Sequence, residues 1–157
     1  MEGSRRAGEH DIARIVELAH LMRAELAPMK GGSVWLEHDA WPEPLEQSYR
    51  SLLANDDACV IVGTIDDAVL GFGAVRVETL RSGRRLGVVT DLFVEPGARE
   101  VSVGEEIVGA LITFCSERGC IGIDAVALPG HRATKNFFEE HHFTARMLVM
   151  HRRLEPE

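Results

Sequence analysis

Leu92, Phe93 and Val94 close an apolar run, and Glu95-Pro96-Gly97-Ala98-Arg99-Glu100-Val101-Ser102-Val103-Gly104 joins it to a second apolar segment of helical spacing. This order predicts a strand, a tight basic loop and a helix N-terminus. A helix opening near Ser102 aims unpaired backbone N–H groups and the positive end of its dipole into the loop, and Arg99 adds a cation with bidentate donors. The chemistry such a loop performs is anion binding, and a phosphate or pyrophosphate fits it. The same spacing also describes a plain β–loop–α connection with a solvated Arg99. Metal chemistry has little support. His141 and His142 are adjacent, do not share a helix face, and lack an acid–histidine ligand spacing. Cys59, Cys115 and Cys120 are odd in number and have no C-x-x-C spacing, so they read as reduced, mostly buried thiols.

The elements that must position this loop fit one domain across residues 1–157 with a sizeable core. Hydrophobic residues make up 45% and charged residues 27%, which excludes disordered, collagen-like and disulfide-scaffold classes. The net charge of -8 and pI of about 5.4 disfavour broad contact with a nucleic-acid backbone and favour a cationic or small-molecule partner. No apolar run reaches the roughly 18 to 20 residues of a membrane span, and residues 1–11 lack the apolar centre of a signal peptide. The expectation is a cytoplasmic protein with no membrane partner.

Ile12, Ile15, Val16, Ala19, Met22 and Leu26 recur at helical spacing until Pro28 stops the run. Residues 28–42 hold Gly31, Gly32, Trp35, Glu37, Asp39 and Trp41 and read as a long loop with bulky contents. A second helix is predicted over 44–55, with Leu45, Tyr49, Leu52 and Leu53 on one side. The period then becomes strand-like over 58–65 and 69–80, separated by Asp66-Asp67, and Ser82-Gly83 returns the chain into 86–94. After the loop, Val103, Ile107, Ala110, Leu111 and Phe114 form the apolar face of a helix ending at Arg118-Gly119. A strand over 121–128, a short helix over 129–142 with Phe137 and Phe138, and a strand over 143–154 complete the reading. There is no internal repeat.

This element order, with Val94-x-Pro96-x-x-Arg99 before the longest buried helix, resembles the GNAT acetyltransferase superfamily across nearly the whole chain, a short strand near 3–6 completing the pattern. The family loop (R/Q)-x-x-G-x-(G/A) corresponds to Arg99-Glu100-Val101-Ser102-Val103-Gly104. Its A-x-x-F-Y-E helix followed by G-F is similar to Thr134-Lys135-Asn136-Phe137-Phe138-Glu139 and His142-Phe143. The resemblance implies an α/β (α+β) fold, a central mixed, mostly antiparallel sheet flanked by helices, with an acyl-CoA cleft between the strands either side of the central helix. It implies acetyl-CoA as co-substrate and acyl transfer to an amine acceptor whose identity the sequence does not give. Leu92, Phe93 and Val94 would pair with the pantetheine arm, and the backbone from Arg99 through Glu100, Val101, Ser102, Val103 and Gly104 to Glu105 would hold the pyrophosphate. His131 and Asn136 match positions that touch the cofactor, although His131 also reads as a solvated helix-start residue.

The chain departs from the family pattern at three places. Glu100 stands beside Arg99, and a left-handed backbone there would cost roughly 1 to 2 kcal/mol. Ser102 replaces the motif glycine and can instead cap the helix or donate to a phosphate oxygen. Phe138 stands where relatives carry a tyrosine that protonates the departing thiolate, so that proton must come from elsewhere, and Tyr49 reads as a packed helix-face residue. Asp91 is the first candidate base. The alternative is that it points to the sheet face opposite Leu92 and satisfies backbone or Arg groups. Glu37, with His38 and Asp39, is the second candidate, set against a solvated loop. A degenerate member that binds CoA without efficient catalysis is the alternative function. Met147, Leu148, Val149 and Met150 could pair with a second copy if the last strand lies at a sheet edge, giving a homodimer.

Overall fold

The period-2 segments form one five-stranded sheet in a computed structural model that describes residues 1–99 and 102–156. The strands are β1 (Glu2–Arg6), β2 (Ala58–Ile65), β3 (Ala68–Thr79), β4 (Arg85–Val94) and β5 (Cys120–Ala125), lying side by side in that order. β1 to β4 pair antiparallel and β5 joins β4 in parallel. The turns follow from local chemistry. Asp66 and Asp67 both take positive φ (47° and 71°), the geometry a two-residue hairpin needs to match strand twist. Gly83 does the same between β3 and β4 with φ 88°.

The helices are α1 (Ile12–Leu26), α2 (Gly32–His38), α3 (Leu45–Ala54), α4 (Val103–Glu117) and α5 (Arg132–Glu140). Residues 28–42, expected as a loop, contain α2. Gly31 enters it at φ 81°, and a Cβ on Gly32 would lie 1.9 Å from the carbonyl oxygen of Leu26, so the glycine pair that reads as a breaker starts a helix against the end of α1. Trp35 then anchors this short helix in the core. The strand expected over 121–128 ends at Ala125, and the strand expected over 143–154 does not form.

Two cores sandwich the sheet. On one face α1, α2 and α3 bury Ile15, Leu18, Trp35, Leu45 and Tyr49 against Val60, Val62 and Phe72. On the other, α4 buries Val103, Ile107 and Leu111 against Ile61 and Val75. The helix lies close because β2 and β3 present Gly63 and Gly73 beneath it. A Cβ on Gly63 would stand 2.6 Å from Val103 Cγ1, and one on Gly73 2.6 Å from Ile107 Cγ2. Gly119, at φ 70°, ends α4 as the left-handed residue the Arg118-Gly119 pair predicts.

Gly73→Ala overpacks the α4 seat and is expected to cost about 1–3 kcal/mol. Gly109→Ala, whose Cβ meets nothing within 4 Å on the exposed side of α4, is expected to raise stability by about 0.5–1 kcal/mol. Thermal unfolding of the two variants checks both signs.

Candidate active site

Parallel pairing of β4 with β5 runs from Arg85↔Cys120 to Val89↔Ala125 and stops there. On its other side β4 pairs Val89 with Val75 and Asp91 with Ala74, so Thr90 is an extra residue without a partner on β3. This is a β-bulge, which bends the strand and re-aims its side chains. Beyond it β4 continues along β3 to Val94 while residues 126–128 leave the sheet. The gap between them is a cleft of about 510 Å³, walled by Thr90 to Val94 on one side and by Val126, Ala127 and Leu128 on the other. The bulge carries no sequence signal, since Val-Thr-Asp-Leu reads as uninterrupted strand.

Asp91 lies at the floor of this cleft, 4% exposed. Its Oδ1 accepts from Trp41 Nε1 at 2.8 Å and from the Thr90 hydroxyl at 2.7 Å, and its Oδ2 accepts from the Tyr49 hydroxyl at 2.7 Å. The side chain therefore satisfies three side-chain donors on the α1–α3 face, rather than backbone or Arg groups. Burial raises the Asp91 carboxyl above its ordinary range, while the three donors and the nearby Arg23 charge oppose the rise. Tyr49, 1% exposed, is pushed well above the usual phenol range by its burial and by the Asp91 charge, so it acts as a donor that keeps its proton. Tyr49 is thus more than a packed helix-face residue, and sequence reading missed its link to Asp91. Arg23 holds the Trp41 segment by donating to the Trp41 carbonyl.

At the other end of the cleft, Arg99 is not a free cation. Its Nη1 and Nη2 pair with Glu25 at 2.8 and 3.1 Å, its Nε donates to the Val94 carbonyl at 2.8 Å, and its guanidinium lies 5.2 Å from the Phe93 ring centroid. Glu25, at the end of α1, escaped sequence reading because 74 residues separate it from Arg99. His131 lies 3.9 Å from Glu25, and burial, aided by the Arg99 charge, lowers its pKa and favours the neutral ring.

Leu92, Phe93, Val94, Arg99, Ser102, Gly104, Glu105 and His131 all line the cleft. Ser102 takes the N-cap position of α4, but its side chain makes no capping bond. Val103 is fully buried beneath the sheet, because it lies on the inward face of α4, so its side chain is not part of the cleft. Asn136 is exposed on α5 and off the cleft, which Ala133, Thr134 and Phe137 line instead, at helical spacing. Glu37 is exposed and off the cleft too. The α2 helix turns Trp35 inward and Glu37 outward, and Asp39 is the member of that acidic cluster in the wall. Phe138 is buried at the cleft and carries no proton to give. Glu100 and Val101 lie outside the described residues. No helix among the described residues is long and apolar enough to cross a membrane.

A mixed sheet opens between two parallel strands, and the helix that joins them starts at the mouth of the gap. The family model for the acetyltransferase (GNAT) family matches residues 19–143, and the chain belongs to that family. Solved structures agree in fold. Glucosamine-6-phosphate N-acetyltransferase from Arabidopsis thaliana is 17% identical with TM-score 0.71, covering 99% of each chain. An aminoglycoside acetyltransferase from an uncultured soil metagenomic sample, in complex with sisomicin, is 18% identical with TM-score 0.72, over 99% of this chain and 97% of that one. AAC(6')-Iy in complex with the bisubstrate analogue CoA-S-monomethyl-acetylneamine is 15% identical with TM-score 0.74, over 99% of each. No curated protein sequence matches the chain significantly.

Tyr49→Phe keeps the edge-on packing against Phe72 but removes one donor from Asp91. It is expected to cost about 1–2 kcal/mol. The folded state holds the Asp91 proton more tightly than the unfolded chain, so the stability that comes from protonating Asp91 is complete below about pH 4 and is lost as pH rises through the raised folded value. Loss of the hydroxyl raises that value further, so the stability gap between wild type and variant grows from pH 4 to pH 8 in denaturant titrations.

Proposed function

We propose that the protein is an acetyl-CoA-dependent N-acetyltransferase that transfers an acyl group to a primary amine of a small molecule or peptide. The observation that carries this reading is the opening of the sheet at Thr90, where β4 loses its β5 neighbour and Asp91 sits at the floor of the resulting cleft. Membership of the GNAT family supports the reaction class. The amine-acetylating names of two structural neighbours, and the CoA-bearing analogue in a third, support the acceptor and donor classes.

The residues present fit the pantetheine part of the donor. Among the described residues no strand pairs with the β5 side of β4 from Thr90 to Val94, where the Val94 carbonyl already accepts from Arg99 Nε, and an extended arm can add there as a strand does. Leu92, Phe93, Val126 and Leu128 give it apolar walls. The phosphate end would rest at the N-terminus of α4 near Ser102 and Gly104, with Arg99 as the cation. When bound, acetyl-CoA supplies a thioester whose carbonyl is open to attack by a neutral amine.

The chain's own part is to orient the amine, hold its proton and exclude water. Thr90 and Asp91 face the cleft together, and the Thr90 hydroxyl donates to Asp91. A proton leaving the amine nitrogen passes to the Thr90 oxygen as the Thr90 proton passes to the Asp91 carboxylate. Burial raises the Asp91 proton affinity in the direction a general base near neutral pH requires. Backbone N–H groups on the β5 side of β4, past the end of its pairing with β5, would polarise the acyl carbonyl of a bound donor. Phe138 cannot protonate the leaving thiolate, whose ordinary pKa of about 8.5 allows departure as the anion, with water supplying the proton.

Phe138 and the Glu25–Arg99 pair favour a second reading, a family member that binds CoA without turnover. Thiol release from acetyl-CoA across a panel of primary amines separates the two. The enzyme reading expects amine-dependent release that falls on the order of a hundredfold in Thr90→Val and Asp91→Asn. Saturable binding with no release under any amine selects the second reading.

Glu25 holds the guanidinium that a pyrophosphate would need and adds a negative charge to the same place. Glu25→Gln is therefore expected to tighten CoA binding by about 3- to 10-fold, a change of the size set by a single partly exposed ion pair. Arg99→Ala is expected to weaken it, and pantetheine, which has no phosphate, is expected to bind all three proteins alike. Calorimetric titration measures each.

A further inference from the structure

The last turn of α4 and the end of β1 bring two arginines to one aromatic ring. The guanidinium carbon of Arg118 lies 4.3 Å from the centroid of Phe114, and that of Arg6 lies 5.1 Å from it. Both side chains line a second cavity, of about 130 Å³, whose other walls come from the end of α3 and the start of β2. Carboxylates pair with Arg5, Arg14, Arg50, Arg85 and Arg146, but among the described residues none pairs with Arg6 or Arg118. Arg6 donates its Nε–H to Cys59 Sγ at 3.4 Å, a weak acceptor, and the Nε of Arg118 is buried with no hydrogen-bond partner. Asp56 also lines the cavity, yet it is exposed and pairs with neither guanidinium. Two cations at one ring repel each other and leave strong donors unmet, in a chain whose net charge is -8.

From this we infer that the cavity is a second ligand site, which takes a phosphate group between Arg6 and Arg118. Its donors are held before a ligand arrives, since the Phe114 ring carries both guanidiniums and the Cys59 thiol fixes the Nε of one. A carboxylate has two oxygens and matches one guanidinium fork, whereas a phosphate dianion has charge and oxygens enough for both. Asn55 is in the same wall. Its Oδ1 accepts from the Asp57 N–H at 2.8 Å, which leaves its NH2 group as a further donor. The small volume holds a phosphoryl group and little more. The site is separate from the cleft. Ser102, at the head of α4, lines the cleft, and Arg118 follows the last residue of the same helix, about 22 Å away along its axis. One helix therefore serves an anion at each end, through its N–H groups at the first and through arginine side chains at the second.

Titration of the isotope-labelled full chain with inorganic phosphate, at constant ionic strength, tests the site by NMR. The Nε–H signals of Arg6 and Arg118 and the backbone amides of 6, 59 and 118 are expected to shift together and to saturate. Arg118→Gln and, separately, Arg6→Gln are expected to weaken this binding about tenfold or more. Arg99→Ala, at the cleft, is expected to give the same shifts at 6 and 118 as the wild type. Circular dichroism checks the fold of each variant, and the exposed Arg6 carries the test where Arg118→Gln unfolds. Methyl phosphate distinguishes the source of the ligand. Binding at least as tight as that of the inorganic ion supports an organic phosphate monoester, and binding of the inorganic ion alone supports free phosphate. Shifts that never saturate, shifts confined to the cleft, or wild-type affinity in both arginine variants overturn the proposal.

Discussion

The closeness of α4 to the sheet is the constraint on which the rest of the molecule depends. Gly63 and Gly73 leave room for Val103, Ile107 and Leu111 to rest almost on the backbone of β2 and β3. That contact fixes the height of the helix and hence where its first turn, Ser102 to Glu105, meets the end of β4. It also places β5, which follows the helix directly, against the first half of β4 and not the second. The cleft is thus a by-product of a right-sized seat: a helix standing further from the sheet would carry its N-terminus, and the whole anion end, away from the strands that wall the gap.

The opposite face contributes a different kind of order. Asp91 is a buried carboxylate surrounded by an indole, a phenol and a hydroxyl, one from the segment after α2, one from α3 and one from its own strand. Removing a charged group from water is unfavourable unless its lone pairs are met, and these three donors meet most of them. The same bonds tie the segment after α2 and the α3 helix to β4, so the polar network that sets the carboxyl's proton affinity also fixes the shape of the pocket around it. Electrostatics and architecture are the same contacts here.

Much of the fold is readable in the residue string because it rests on local rules. Asp66-Asp67, Ser82-Gly83 and Arg118-Gly119 each mark a turn or a cap through a backbone preference confined to two residues. Leu92, Phe93, Val94, Arg99, Ser102, Gly104 and Glu105 in the cleft wall are readable for the same reason, since strand, loop and helix follow one another in the chain. What was hidden joins distant positions. Glu25 meets Arg99 across 74 residues and Tyr49 meets Asp91 across 42, and neither pair has a spacing that a sequence pattern displays. The bulge at Thr90 shows only in the register against β3. Gly31 and Gly32 mislead for a physical reason, because glycine usually breaks a helix, whereas here close approach to Leu26 demands it. Residues 143–154 mislead in the opposite way: their composition is that of a strand, and among the described residues they pair with none.

The arrangement around Asp91 has an optical consequence. The chain holds two tryptophans and one tyrosine. Trp41 and Tyr49 bond directly to the cleft-floor carboxylate, and Trp35 stands in the cleft wall. Every strong near-ultraviolet chromophore of the protein therefore lies within reach of one cavity, and none dilutes the signal from elsewhere. The intrinsic emission of the unlabelled molecule is a gauge of what that cavity contains and of the charge on the carboxylate beneath it.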